Sequence, residues 1–182
     1  AKAHVIGTAF LGLQMKCARC HDAPYHERTQ RELFEMAAML KRKPIQVPKT
    51  SSVPATFFEH VKQGGRKSLI QVSLKIGSTV QPTWPFDDPG KVLPSGILQD
   101  PEDTREILAS KITFSRRFAE ILVNRIWKRF MGAGLVETVD DWEGKKPSDL
   151  KLLSFLTDEF IRSGYDLKAL ARLIMNSQAY QR

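Results

Sequence analysis

Apolar residues recur at three- and four-residue steps along most of this chain, and each such run predicts a helix with one buried face. Val5, Ile6, Ala9, Phe10 and Leu13 predict the first, from Ala3 to about Met15. Pro24 breaks the pattern, and Thr29 with Glu32 three positions later has the form of a capping box. A second helix therefore runs from Gln30 to about Lys41, with Leu33, Met36, Ala37 and Leu40 on one face and Phe34 and Met39 at its margins. Residues 44–66 hold Pro44, Pro48, Pro54, Gly64 and Gly65 and read as mostly loop. Ile70, Val72, Leu74 and Ile76 alternate with polar residues, the period of a half-buried strand whose partner is expected near Gln46 or Val80. The stretch from Gln81 to Pro101 is too rich in proline for a helix and reads as an extended connector. Four helices are expected after it, from Asp103 to about Lys111, Ser115 to Met131, Ser148 to Ser163, and Asp166 to about Ser177. In the second of these Phe118, Ile121, Leu122, Ile126 and Phe130 form the predicted buried stripe.

These elements give a mainly α fold in three segments. Residues 1–66 form a helical part, 67–101 a strand and proline-rich connector, and 102–182 a C-terminal helical bundle, so the middle segment supplies a small β element. With 42% hydrophobic and 26% charged residues, the composition is that of a globular protein, and no apolar run approaches a membrane span. The net charge of +8 invites a nucleic-acid partner, but the basic residues are scattered and not interleaved with aromatic residues. Docking of an acidic partner protein suits that distribution better. The first residue is Ala1, which reads as a piece of something longer or a processed product.

The chemistry concentrates at one place. The only two cysteines lie three apart and a histidine follows, in Cys17-Ala18-Arg19-Cys20-His21. This C-x-x-C-H spacing is that of haem c attachment: two thiols one turn apart reach the two vinyl groups of one porphyrin edge, and the next residue offers imidazole to the iron. The residues also allow a structural zinc site of Cys17, Cys20, His21 and His26, or a dithiol redox pair. Four zinc ligands within ten residues leave little chain to close a tetrahedron. A dithiol motif wants a strand before it, where a helix is expected here.

For a sixth iron ligand, Met39 on the following helix ranks first and His60 in the loop beyond ranks second. Met36 is also on that helix, and an open five-coordinate iron is a further alternative. A methionine on an apolar helix face is more often core filler than ligand. His26 is too near His21 to reach the opposite face of a porphyrin without the chain running almost taut, and suits a propionate or backbone contact. Arg125, Asp140, Asp141 and Glu143 could resemble acid–base equipment, but a structural ion pair of Arg125 with Asp140 or Asp141 is the simpler use. Trp84, Trp127 and Trp142 read as core residues, with haem packing as their alternative.

The stretch Phe10-Leu11-Gly12-Leu13-Gln14 through Cys17-Ala18-Arg19-Cys20-His21-Asp22, with Thr29-Gln30 and Ala37-Ala38, resembles the second cytochrome-like domain of large planctomycete cytochrome c-type proteins. Phe118-Ala119, Val123-Asn124-Arg125-Ile126-Trp127, Gly134-Leu135-Val136-Glu137 with Asp140-Asp141, Ser163-Gly164-Tyr165-Asp166-Leu167 and Ser177-Gln178-Ala179-Tyr180 resemble their companion C-terminal domain. The resemblance implies an exported bacterial protein with haem c, a leader and a possible further haem domain upstream. It also marks a departure: many relatives carry a second histidine where this chain has Ala23, and an acidic residue where it has His26. The expected function is electron transfer in the periplasm or an equivalent extracytoplasmic space, as a carrier rather than an enzyme. The competing readings are a haem enzyme or sensor with an open sixth site, and a zinc-stabilised interaction module.

Overall fold

The computed structural model describes residues 2–54, 56–59, 68–86 and 93–182. The protein is mainly helical with a small two-stranded antiparallel sheet. Its elements are α1 (Lys2–Ile6), continued by a π turn (Gly7–Leu11), a 3-10 turn (Cys17–Arg19), α2 (Gln30–Lys41), β1 (Ile45–Gln46), β2 (Thr79–Val80), α3 (Thr104–Thr113), α4 (Arg116–Met131), α5 (Leu150–Arg162) and α6 (Leu167–Met175). The chain divides into two compact units: Ala1–Gly7 with Gln14–Ser110, and Thr8–Leu13 with Lys111–Arg182.

In the first unit α2 begins at the expected capping box. The Thr29 hydroxyl accepts from the Glu32 amide at 3.2 Å, and the Glu32 carboxylate accepts from the Thr29 amide at 2.6 Å. The helix ends at Arg42, in the left-handed region with φ of 59°. Its buried face is shifted from the expected one: Leu33 and Met36 are buried, but Ala37 and Leu40 are only half-buried, and Gln30, Phe34, Ala38 and Met39 are buried in their place. The cause is enclosure: α1, the Cys17–Arg19 turn and both strands all pack on α2. Phe34, Val47, Leu74 and Val80 make a small core with Ile45 against it.

The strand expected at 70–76 is absent. Residues near both suggested partner positions pair with each other instead, Ile45 with Val80 and Gln46 with Thr79. Residues 70–76 make no ladder, with a bend at Leu74 and a turn at Ile76, and the amides of Ser73 and Leu74 donate to the side-chain oxygen of Gln30 at 3.1 and 3.2 Å. A side chain thus takes the place of a neighbouring strand, and of the four alternating residues only Leu74 is fully buried.

The second unit is a three-helix bundle. Ala119, Ile121 and Val123 of α4, Leu153, Leu156 and Phe160 of α5, and Leu170 and Ile174 of α6 form its core with Leu135, Val136 and Trp142. Phe118, Leu122, Ile126 and Phe130, expected at the centre, are only half-buried. Asn124 occupies a fully buried position instead, where its amide group clamps Val136 by donating to the carbonyl at 2.8 Å and accepting from the amide at 3.1 Å. Ser115, Asp149 and Asp166 cap the three helices. The α5 cap is Asp149 rather than Ser148, whose amide and hydroxyl both donate to the Leu135 carbonyl.

The first helix also stops earlier than its periodicity predicts. Arginines of α4 take carbonyls that a longer helix would have used: Arg125 donates to Thr8 and Ala9, and Arg117 to Leu11. Gly12 then turns the chain at φ of 63°, and its carbonyl accepts from the Trp142 amide at 2.9 Å. A Cβ at Gly12 would lie 2.6 Å from Ile121 Cδ1 and 2.9 Å from the Trp142 ring. Only glycine satisfies both the backbone angle and the close approach. Gly12→Ala is therefore expected to destabilise the second unit by about 2–4 kcal/mol, combining left-handed strain with overpacking. Denaturant unfolding checks this; a midpoint equal to that of the parent protein contradicts it.

Candidate functional site

The Cys17–Arg19 turn forms because the amides of Cys20 and His21 both donate to the Cys17 carbonyl, at 3.1 and 3.3 Å. Ala18 points inward and is fully buried, which anchors the turn while the thiols face outward. Both cysteines are free thiols, Cys17 exposed and Cys20 half-buried. Cys20 Sγ makes a weak hydrogen bond to the Thr50 carbonyl at 3.7 Å.

His21 is half-buried, and its Nδ1 lies 2.7 Å from the backbone oxygen of Asp22. A carbonyl oxygen only accepts, so Nδ1 carries the proton. In the neutral ring Nε2 then holds the lone pair, and it is the nitrogen available to a metal.

Asp22 is itself held firmly. One of its carboxylate oxygens accepts from the Gln30 amide and from the Ser73 hydroxyl, each at 2.7 Å, and its amide donates to the Gln71 carbonyl at 2.7 Å. Gln30 is fully buried at the first position of α2, and its side chain donates to the Ser51 carbonyl at 3.3 Å while accepting from Ser73 and Leu74. The histidine-bearing loop, the start of α2, the 50–51 turn and the 71–74 segment thus meet at two polar side chains. Neither Asp22 nor Gln30 stands out from sequence as a positioning residue. Both lie in the stretches that carry the family resemblance, which says nothing of their role, and a polar residue directly after a capping threonine normally faces solvent.

The electrostatics around the turn are positive. Lys16 and Arg19 are exposed on either side of Cys17. Burial holds the His4 imidazole below its ordinary pKa, with smaller contributions from nearby positive charges that include Arg19 and Lys16. Met39 lies on α2, fully buried, as do Met36 and, before the motif, Met15. His60 falls outside the described residues, and His26 is half-buried on the loop after the motif.

In the second unit Arg125 forms an ion pair with Asp140 at 2.6 Å, besides holding the Thr8 and Ala9 carbonyls, so it is structural. Asp141 pairs with Lys145 at 3.0 Å. Trp142 is a core residue, Trp127 packs against that core, and in the first unit Trp84 stands edge-on to Phe86.

Residues 1–44 match the model of the PSCyt2 family, described as a protein of unknown function (DUF1549), and residues 104–182 match that of the PSD1 family, described likewise (DUF1553). Both are planctomycete cytochrome-associated domain families. No curated protein and no solved structure matches the chain.

Replacing Gln30 by alanine leaves the amides of Ser73 and Leu74 and the Ser51 carbonyl without their partner. A loss of about 2–4 kcal/mol is expected from those unsatisfied groups. Amide exchange at Ser73 and Leu74 should accelerate while exchange in α4 stays as it was. Unchanged protection at those two amides would contradict the role assigned to Gln30.

Proposed function

We propose that this chain is a c-type cytochrome, with one haem c carried by Cys17 and Cys20 as thioethers and His21 as axial iron ligand. The observation that carries the reading is the hydrogen bond from His21 Nδ1 to the Asp22 carbonyl. It leaves Nε2 as the nitrogen that would meet a metal, and such an outer partner fixes the orientation and basicity of a ligating imidazole. The residues fit the group in a second way: both thiols are unpaired and on one turn, so each can add its S–H across one vinyl double bond.

When bound, haem supplies an iron that accepts and returns one electron, with the ligands and surrounding dielectric setting its potential. The chain's own residues do the rest. Asp22, tied to Gln30 and Ser73, holds the His21 ring in one orientation. Met39 would supply the second iron ligand, a thioether on the helix that the motif turn packs against. Lys16 and Arg19, exposed beside Cys17, suit docking of an acidic redox partner. The chain acts as an electron carrier in this account and not as a catalyst. Its place is the periplasm or an equivalent extracytoplasmic space, where haem c is attached. Among the described residues no helix is long and apolar enough to cross a membrane.

Expression with haem-attachment machinery tests this. The protein should keep a Soret band through acid–acetone extraction, and Cys17→Ala combined with Cys20→Ala should abolish it. A colourless extracted protein would sink the proposal. Met39→Ala should alter the ferric visible spectrum of the loaded protein, whereas an unaltered spectrum removes Met39 as a ligand and leaves the attachment site standing.

A further inference from the structure

A cleft of about 730 Å³ opens within the first unit, away from the chemistry of the motif: neither cysteine nor His21 lines it. Its apolar surface comes from Ala37 and Leu40 of α2 and Ile45 of β1, all half-buried. Three cations border that surface, Lys2, Lys41 and Arg105, and no acidic residue lines the cleft among those described. Arg105 is fixed in place, because its Nε and Nη2 donate to the Leu40 carbonyl at 3.0 and 2.6 Å. That bond also uses up an oxygen at the end of α2 that would otherwise repel an anion. Lys2 and Lys41 are exposed and can swing to meet a ligand.

The size falls within the range of about 300–1,000 Å³ typical of small-molecule sites, which are mostly apolar with a few placed polar groups. An inorganic anion would leave the apolar surface unused. A neutral or cationic amphiphile would leave three positive charges unmatched or opposed. We propose that this cleft binds a free long-chain carboxylate, its hydrocarbon chain against Ala37, Leu40 and Ile45 and its head among Lys2, Lys41 and Arg105. The site stands independently of the haem reading, since it shares no residue with the motif.

Isothermal titration of the full chain with dodecanoate, below its micelle concentration, tests the proposal. Saturable one-to-one binding is expected, with none for acetate or for dodecyltrimethylammonium over the same range. The double variant Lys2→Glu with Lys41→Glu should weaken dodecanoate binding by about tenfold or more, as should Ala37→Phe, which fills the cleft. Should Ala37→Phe fail to fold, the lysine variant decides, because both its side chains are exposed. No saturable binding, equal binding of the cationic amphiphile, or dodecanoate binding unchanged in the lysine variant would overturn it.

Discussion

One hydrogen bond, from the imidazole of His21 to the carbonyl of the next residue, decides what the motif can do. An imidazole free to turn offers either nitrogen in any direction. A ring tied through Nδ1 offers one nitrogen in one direction, and that is the condition for a metal ligand. The tie would mean little if the loop carrying Asp22 could move. It cannot easily do so, because the Asp22 carboxylate caps α2 through Gln30 and also binds Ser73. Local chemistry at His21 therefore depends on contacts that Asp22 makes 8 and 51 residues away in sequence. The two thiols, by contrast, sit on a single turn with Ala18 buried beneath it, and Cys20 reaches beyond the turn only to the Thr50 carbonyl.

A similar dependence holds in the second unit, with backbone in place of polar side chains. Thr8–Leu13 belongs to that unit although it lies far from the rest in sequence. Arg117 and Arg125 bind its carbonyls, Phe10 meets Phe118 at 5.8 Å between ring centres, and Gly12 lies against Ile121 and Trp142. Arg117 also stacks over the Trp142 ring at 4.5 Å, and burial lowers its pKa. The PSCyt2 match contains this strap, while the helices it docks on lie in the PSD1 match. The second compact unit of this chain thus takes in residues of the PSCyt2 match as well as residues of the PSD1 match.

Helices were legible in sequence wherever a cap and a periodic face agreed. Thr29 with Glu32, Ser115 and Asp166 each marked a start, and Gly132 and Gly164 lie where the helices before them end. The candidate motif is legible as a spacing of adjacent residues, whereas the hydrogen bond that orients His21 is not. What could not be read was polar burial. Period-two alternation at Ile70, Val72, Leu74 and Ile76 has the form of a strand, yet a glutamine on a distant helix took the hydrogen bonds that a strand partner would need. Asn124 likewise sits at a core position that hydrophobic periodicity assigns to nothing, because its value lies in a backbone 12 residues on. The cleft beside α2 brings together Lys2, Lys41 and Arg105, which no local pattern connects.

Intact-mass measurement of the wild-type chain, produced with haem-attachment machinery and denatured before ionisation, shows whether Cys17 and Cys20 carry haem. A mass exceeding the polypeptide by one haem, with fragment ions locating the addition between Cys17 and Cys20, is the predicted result. A polypeptide mass with nothing added, or one lighter by the two hydrogens of a Cys17–Cys20 disulfide, would contradict it.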